Sequence, residues 1–415
     1  MARTILATLV LVATAAALFL VGGSSRAGCL WDSDTLRAEA AGAPGLVETI
    51  VGRFDRYPPL YYQMRLDRAA EDIASDPTNL AAYDDAAVSC DRLGKHDEAI
   101  AWMARKRVAL DAMPDSEERT EHEYRYLANL GTFHAHRWLA NGADRADMAD
   151  MERARDLIAQ AIALNPDAHF GRERYQLLAL DWILQPPARD QSDSSPVSIL
   201  EIDPNLPAYE GTFQMGDLEG QGYDDAAIGF AGLVSLGNGW NSFDVFLTLG
   251  GALQGLGDSS IGTLAWLRAQ EIARAGGQSL HPSVNPGAFE PVFTIHSNVV
   301  DAAPLERFYT KARAEADAWH AARTAYITAR LEQGQHPDTH PAFFAAWAEP
   351  STMPALPNGF FGHGGHTAQL APVALVVLGL LLFLLVNAVA SVVWLIRRIK
   401  RRRARRAASP TIAPA

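Results

Sequence analysis

Apolar and small residues recur every three or four positions through residues 80–111, LAAYDDAAVSCDRLGKHDEAIAWMARKRVALD, and the pattern breaks at Leu93-Gly94-Lys95. The periodicity predicts two amphipathic helices joined by a tight turn. Numbering Leu80 as the first position of a 34-residue helical-hairpin repeat places Tyr83 at 4, Ala86 and Ala87 at 7 and 8, Gly94 at 15, Ala99 at 20 and Met103 at 24. Small residues at 8 and 20 let two helix backbones nest, while larger ones at 4 and 24 fill the gaps between hairpins.

The spacing recurs further along. A second hairpin carries Leu130-Gly131 at 7 and 8, Ala154 at 20, Ile158 at 24, Ala161 at 27 and Pro166 at 32. From Gly131 to Ala154 is 23 residues where the repeat has 12, so about 11 residues around Asn141-Gly142-Ala143-Asp144 are inserted as a loop or as longer helices. ALNPDAHFGRERYQLLALDWIL then starts another helix, which Pro186-Pro187 must end. Ala226 and Phe230 match positions 20 and 24 of a half repeat. A last full copy over 243–274 has Phe246, Leu249, Gly250, Leu256, Gly257, Trp266 and Ala269 at 4, 7, 8, 14, 15, 24 and 27, with Gly262 in place of the usual Ala at 20.

Around these repeats (79–187 and 207–275) the pattern changes. Residues 28–78 carry Trp31, Leu36, Phe54 and Tyr57-Pro58-Pro59-Leu60-Tyr61-Tyr62, too aromatic for a disordered linker. They are expected to cap the exposed apolar face of the first hairpin, with a helix over 61–75 closed by Asp76-Pro77. Residues 188–206 include a polar, Ser/Asp-rich stretch and read as an internal linker. Within a C-terminal capping region, 276–349, a long helix is expected over 305–331 from the stripe Phe308, Ala312, Ala316, Trp319, Ala322, Tyr326 and Ala329. Residues 350–369 read as a Gly/Pro-rich tether.

Residues 1–27 have Arg3, an uncharged apolar run over 5–21 and small residues ending in Ser25-Arg26-Ala27, the layout of a secretory signal; the length of the run leaves a retained anchor as the alternative. Residues 370–396 are uncharged and, at about 1.5 Å per residue, long enough to cross a hydrocarbon core of roughly 30 Å. The basic tail, 397–415, follows at once, so the positive-inside rule leaves the repeats outside the cytoplasm and the tail within it. The net charge of −12 hides this asymmetry: setting aside the eight basic residues between Arg397 and Arg406, and Arg3 and Arg26, leaves 26 bases against 48 acids. Such an acidic middle argues against nucleic-acid binding. The Arg-rich, Lys-poor composition hints at a GC-rich bacterial genome.

Candidate chemistry is sparse. Two cysteines exclude a disulfide-dense scaffold: Cys29 stands just past the signal behind a partial lipobox, Cys90 at a core position of its repeat, and a bridge between them is open. His134 and His136 would point about 200° apart on a helix, and His363 and His366 lie in the tether. No Walker loop, HExxH, GxSxG or CxxCH occurs, so no catalytic residue, cofactor or metal is assigned. Paired acids such as Asp84-Asp85 are expected to be solvated.

By LGKHDEAI, by ALNP with Ala154 and Ile158 upstream, and by LGGALQGLGD with Trp266 and Ala269, roughly half of the chain resembles exported, membrane-anchored bacterial tetratricopeptide repeat proteins. The inserted second hairpin, Lys106 where Ala is usual at position 27, and Gly262 depart from that pattern. The resemblance implies an all-α, irregular helical-hairpin solenoid with one C-terminal transmembrane helix, serving as a scaffold for a protein or peptide partner. In such solenoids positions 2, 5, 9, 12 and 13 face the concave side: Ala81, Asp84, Val88, Asp91 and Arg92 in the first repeat, then Arg125, Ala128, Thr132, Ala135 and His136. Asp84, Asp91, Arg92 and Arg125 are the residues expected to orient the partner. The alternative is an envelope enzyme with its site in the irregular inserts.

Overall fold

Each turn that the sequence punctuates is built as its residues require. The Asn79 side chain accepts a hydrogen bond from the Ala82 amide and so caps the helix 80–92, which ends where Gly94 takes a left-handed conformation (φ +75°). Lys95 N–H then bonds Cys90 O (2.8 Å) and Gly94 N–H bonds Asp91 O (2.9 Å), reversing the chain in three residues. The computed structural model describes residues 45–166, 172–188, 197–201, 218, 222–235, 237, 239–256, 258–289, 294–295, 298–299 and 302–357. They form an all-α fold: α1 (Leu46–Val51), α2 (Pro59–Ser75), α3 (Leu80–Arg92), α4 (His96–Asp111), α5 (Glu117–Ala140), α6 (Ala149–Leu164), α7 (Arg172–Leu184), α8 (Ala226–Ser235), α9 (Phe243–Gly255), α10 (Ser259–Arg274) and α11 (Ala303–Leu331). A two-residue antiparallel strand pair, Thr294–Ile295 with Asn298–Val299, is a minor addition.

Each helix from α2 to α11 packs mainly on its neighbour in sequence. The small positions lie at the crossings. A Cβ added to Gly131 would stand 3.0 Å from Ile158 and 3.1 Å from Ala154 O, and one added to Gly250 would stand 2.1 Å from the Trp266 ring, while Gly262 faces Gly250 O. In the first hairpin Tyr83, Ala87, Ala99 and Met103 are all buried, as are Ala154 and Ala269 in the others. The insertion in the second hairpin is taken up both ways: α5 runs to 24 residues, and the turn to α6 spans 141–148. Pro166 lies in the turn that follows α6.

These crossings carry a direct expectation. Trp266 is buried and its indole N–H donates to Leu247 O (3.1 Å), so the ring cannot swing clear of an added methyl group. Gly250→Ala should therefore destabilise the protein by about 1–3 kcal/mol, as Ala99→Phe should in the first hairpin, read from denaturant midpoints. An unchanged midpoint in both variants would contradict the nesting.

Two expectations about the ends of the series are corrected. Residues 46–54 do not cover the first hairpin: Ile50, Val51 and Phe54 join the core of α8, α9, α10 and α11. α2 does pack on α3, and it also meets α11. Tyr61 packs with Ile327, Leu331 and Phe343 in a small separate core. The physical cause is a set of ionic ties between the two ends. Arg65 is paired with Asp338 (2.9 Å), Arg323 with Asp55 (2.9 Å) and Arg53 with Glu349 (3.0 Å), and Arg313 donates to Val51 O (2.6 Å). The expected stripe on α11 drifts for the same reason. Beyond Trp319 the buried residues are Arg323, Ile327 and Leu331, whereas Ala329 is exposed and Ala322 and Tyr326 are half-buried. Arg323 is charged, yet its guanidinium is paired with Asp55 and lies 4.0 Å from the Phe344 ring centroid.

The linker expected over 188–206 does not part the helices on either side. α7 packs on α8, where a Cβ on Gly229 would lie 2.1 Å from the Tyr175 ring, and the Tyr175 hydroxyl bonds Asp225. Ile199 N–H donates to Thr248 Oγ1 (2.9 Å). Among the described residues no helix is long and apolar enough to cross a membrane. The expected signal (1–27), span (370–396) and basic tail (397–415), together with Cys29, Gly257, His363 and His366, lie outside the described residues.

Candidate partner-binding face

The four residues expected to orient a partner are brought together along α3 and the facing side of α5, but two of them are not open to a ligand. Asp84 and Asp91 are buried. α3 presents them seven residues apart, two turns of one helical face, and each meets groups from α4 and α5.

At the first centre the Lys106 ammonium of α4 lies 2.7 Å from both Asp84 oxygens, and Asn129 of α5 donates to one of them (3.1 Å). Burial opposes both charges, raising the Asp84 carboxyl and lowering the Lys106 ammonium from their ordinary values, while their mutual contact works the other way. Lys106, a departure from the repeat, is thus the counter-ion of Asp84. Arg125 pairs with Glu121 one turn back on α5 (2.9 Å) and adds its field to this centre.

At the second centre the Asp91 carboxylate lies 2.9 Å from Nδ1 of His96 and 2.9 Å from Nδ1 of His136. The Gly94 turn is what brings His96, the first residue of α4, back over the end of α3. Burial opposes the charge on Asp91, yet His136, His96 and Arg92 hold its carboxyl well below the usual range. The hydrogen bond to Asp91 in turn raises the His96 imidazole, against burial. Arg92 reaches toward Gly237 O (3.4 Å).

The solvated reading of Asp84 fails with the open-groove reading of both acids, since their oxygens are occupied from within the fold. Of the other concave positions, Val88, Ala128, Thr132 and Ala135 are also buried, and Gln176 of α7 donates to Thr132 (2.9 Å). Arg92 and Arg125, both half-buried, remain at the margin of the face. Sequence reasoning missed Lys106, Asn129 and His96 as members of the two centres. A position-27 lysine opposite a position-5 aspartate was a usable signal; nothing local marked Asn129.

His134 and His136 serve different networks, as their spacing requires: His134 sits with Arg137 on Asp150 (2.8 Å). His336 is buried, its Nε2 3.1 Å from Tyr61 O. Among the described residues no group of three His, Cys, Asp or Glu side chains could hold a metal ion. Cys90 is buried in the small-residue core of α3, where burial pushes its thiol up to about 11.

The second centre has a definite pH signature. Because the folded value of His96 lies above the unfolded one, its contribution is fully present below about 6.5 and is lost as the pH rises through the folded value. Because Asp91 is depressed, its contribution is present above about 3.9 and is lost only in strong acid. The stability gap between the wild type and His96→Gln should thus be wider at pH 5.5 than at pH 8.5 in urea unfolding. Equal gaps at the two pH values would refute the pairing.

Comparison of the chain with protein-family models, curated proteins and solved structures finds no match.

Proposed function

We propose that this protein is a membrane-tethered, extracytoplasmic scaffold of tetratricopeptide-like hairpins that holds a protein or peptide partner during assembly of a cell-envelope complex. The observation that carries the reading is the repeated nesting of small residues: Gly131 against Ala154 and Ile158, and Gly250 against Gly262 and Trp266. Helical hairpins joined this way form an extended surface without needing a catalytic centre. The tethering half of the reading rests on residues 1–27, 370–396 and 397–415 of the sequence. Partners are engaged at the margin marked by Arg92 and Arg125, where charge acts on encounter and orientation more than on final affinity, while Asp84 and Asp91 shape the face from beneath.

Topology is tested with protease added to intact spheroplasts. The helical region should be degraded while cytoplasmic controls survive; its survival where external controls are cut would overturn the orientation.

A further inference from the structure

A further charged cluster surrounds Trp240, against Phe246 of α9. The indole lies against Gly52, where an added Cβ would fall 2.4 Å from the ring. Three guanidinium groups approach it, their Cζ atoms 3.9 Å (Arg268), 4.8 Å (Arg56) and 5.3 Å (Arg313) from the ring centroid. They come from α10, from the segment after α1 and from α11, so the cluster exists only when the two ends of the helical series are joined.

Two of the three arginines have carboxylate partners. Glu271 accepts from Arg268 (2.8 Å) and Arg313 (3.2 Å), and Asp317 pairs with Arg313 (2.9 Å). Arg56 is different. Among the described residues no carboxylate lies within ion-pair distance of it; Nη2 donates to Gly52 O (3.2 Å), and Nε is buried without an acceptor. Its guanidinium is pushed down to about 10, chiefly by burial and then by Arg313, with Asp317 opposing. The nearby His320 imidazole is lowered by burial and by Arg56, and its Nδ1 is likewise buried without a partner. Three cations thus share two carboxylates in a protein whose net charge is −12.

We infer that the Arg56–Trp240 cluster is a binding site for one oxyanion group, a carboxylate or a phosphate, held by the Arg56 fork with Arg268 and Arg313 supplying the surrounding positive field. The rings of Trp240 and Phe54, inclined at 78° to each other, flank the guanidinium on two sides, and its Nε N–H has no acceptor within the fold. A planar fork with partly desolvated N–H groups matches the two oxygens of a carboxylate or phosphate and has no such match for chloride. Indole contact does not neutralise the charge, so the cluster gains most from an anion that does.

The test titrates the purified full chain with sodium phosphate and with sodium acetate, each at constant ionic strength against sodium chloride, following heat and thermal midpoint. The expected result is saturable binding of at least one oxyanion, weakened about tenfold or more in Arg56→Gln and partly recovered in Arg56→Lys. Preference for phosphate assigns the site to phosphate groups, and equal or better response to acetate assigns it to carboxylates. The inference is overturned if neither oxyanion differs from chloride, or if Arg56→Gln binds as the wild type does. Should Arg56→Gln lose its helical circular-dichroism signal, Arg56→Lys decides alone: affinity equal to the wild type would exclude a role for the fork.

Discussion

Lys106→Met should lower the unfolding free energy by about 3–5 kcal/mol, among the largest effects available from a single substitution in this chain. The loss does not come from side-chain volume, which methionine nearly matches. It comes from Asp84, which is buried and would keep one hydrogen bond, from Asn129, with no counter-ion at 2.7 Å. Either the carboxylate stays charged in an apolar site or it takes up a proton on folding, and both cost stability at neutral pH. Asp84→Leu combined with Lys106→Met should recover most of the loss, because removing both members of a buried pair removes the uncompensated charge. Urea unfolding of the three proteins measures the coupling. Additive losses in the double variant would show that the two side chains act independently.

The second large effect is expected at the junction of the two ends. Arg65 is buried, and its Nε and Nη2 each lie 2.9 Å from an oxygen of Asp338, which also accepts from Arg68. Asp338→Ala leaves two guanidinium groups facing each other without that acceptor and should cost about 3–5 kcal/mol of local stability. Loss of the tie also frees His336, which stacks on Tyr61 at 4.4 Å between ring centroids. Hydrogen exchange should speed up together in α2 and in residues 336–347, while α9 and α10, which lack this contact, keep their protection. Uniform protection across the variant would mean that the Asp338 tie does not hold the ends together.

These two sites also show where the sequence was legible. The hairpin crossings were readable because they depend on small residues at fixed short spacings: Gly131 with Ala154, and Gly250 with Gly262. Local turn chemistry at Asn79 and Gly94 was equally open to inspection. Charged residues buried by a distant partner were not. Arg65 and Asp338 are 273 residues apart, and Arg323 lies 268 from Asp55, so no periodicity links them, and each counts as polar by itself. The same blindness put Asp84 and Asp91 on an open face. Both lie on one face of α3, but the ammonium and imidazole groups that close over them belong to α4 and α5. The aromatic segment before α2 needs a surface to pack on by its composition alone; which surface depends on α11 returning to the start of the series.

The scaffold reading is tested most directly by photo-cross-linking in native membranes, with a photoreactive residue placed singly at Arg92, at Arg125 and at the fully exposed Asp115 in the full chain. A discrete adduct with another envelope protein is expected from Arg92 and Arg125 and none from Asp115. Absence of any protein adduct at Arg92 and Arg125, in membranes where the chain is folded and accessible to external protease, would contradict it.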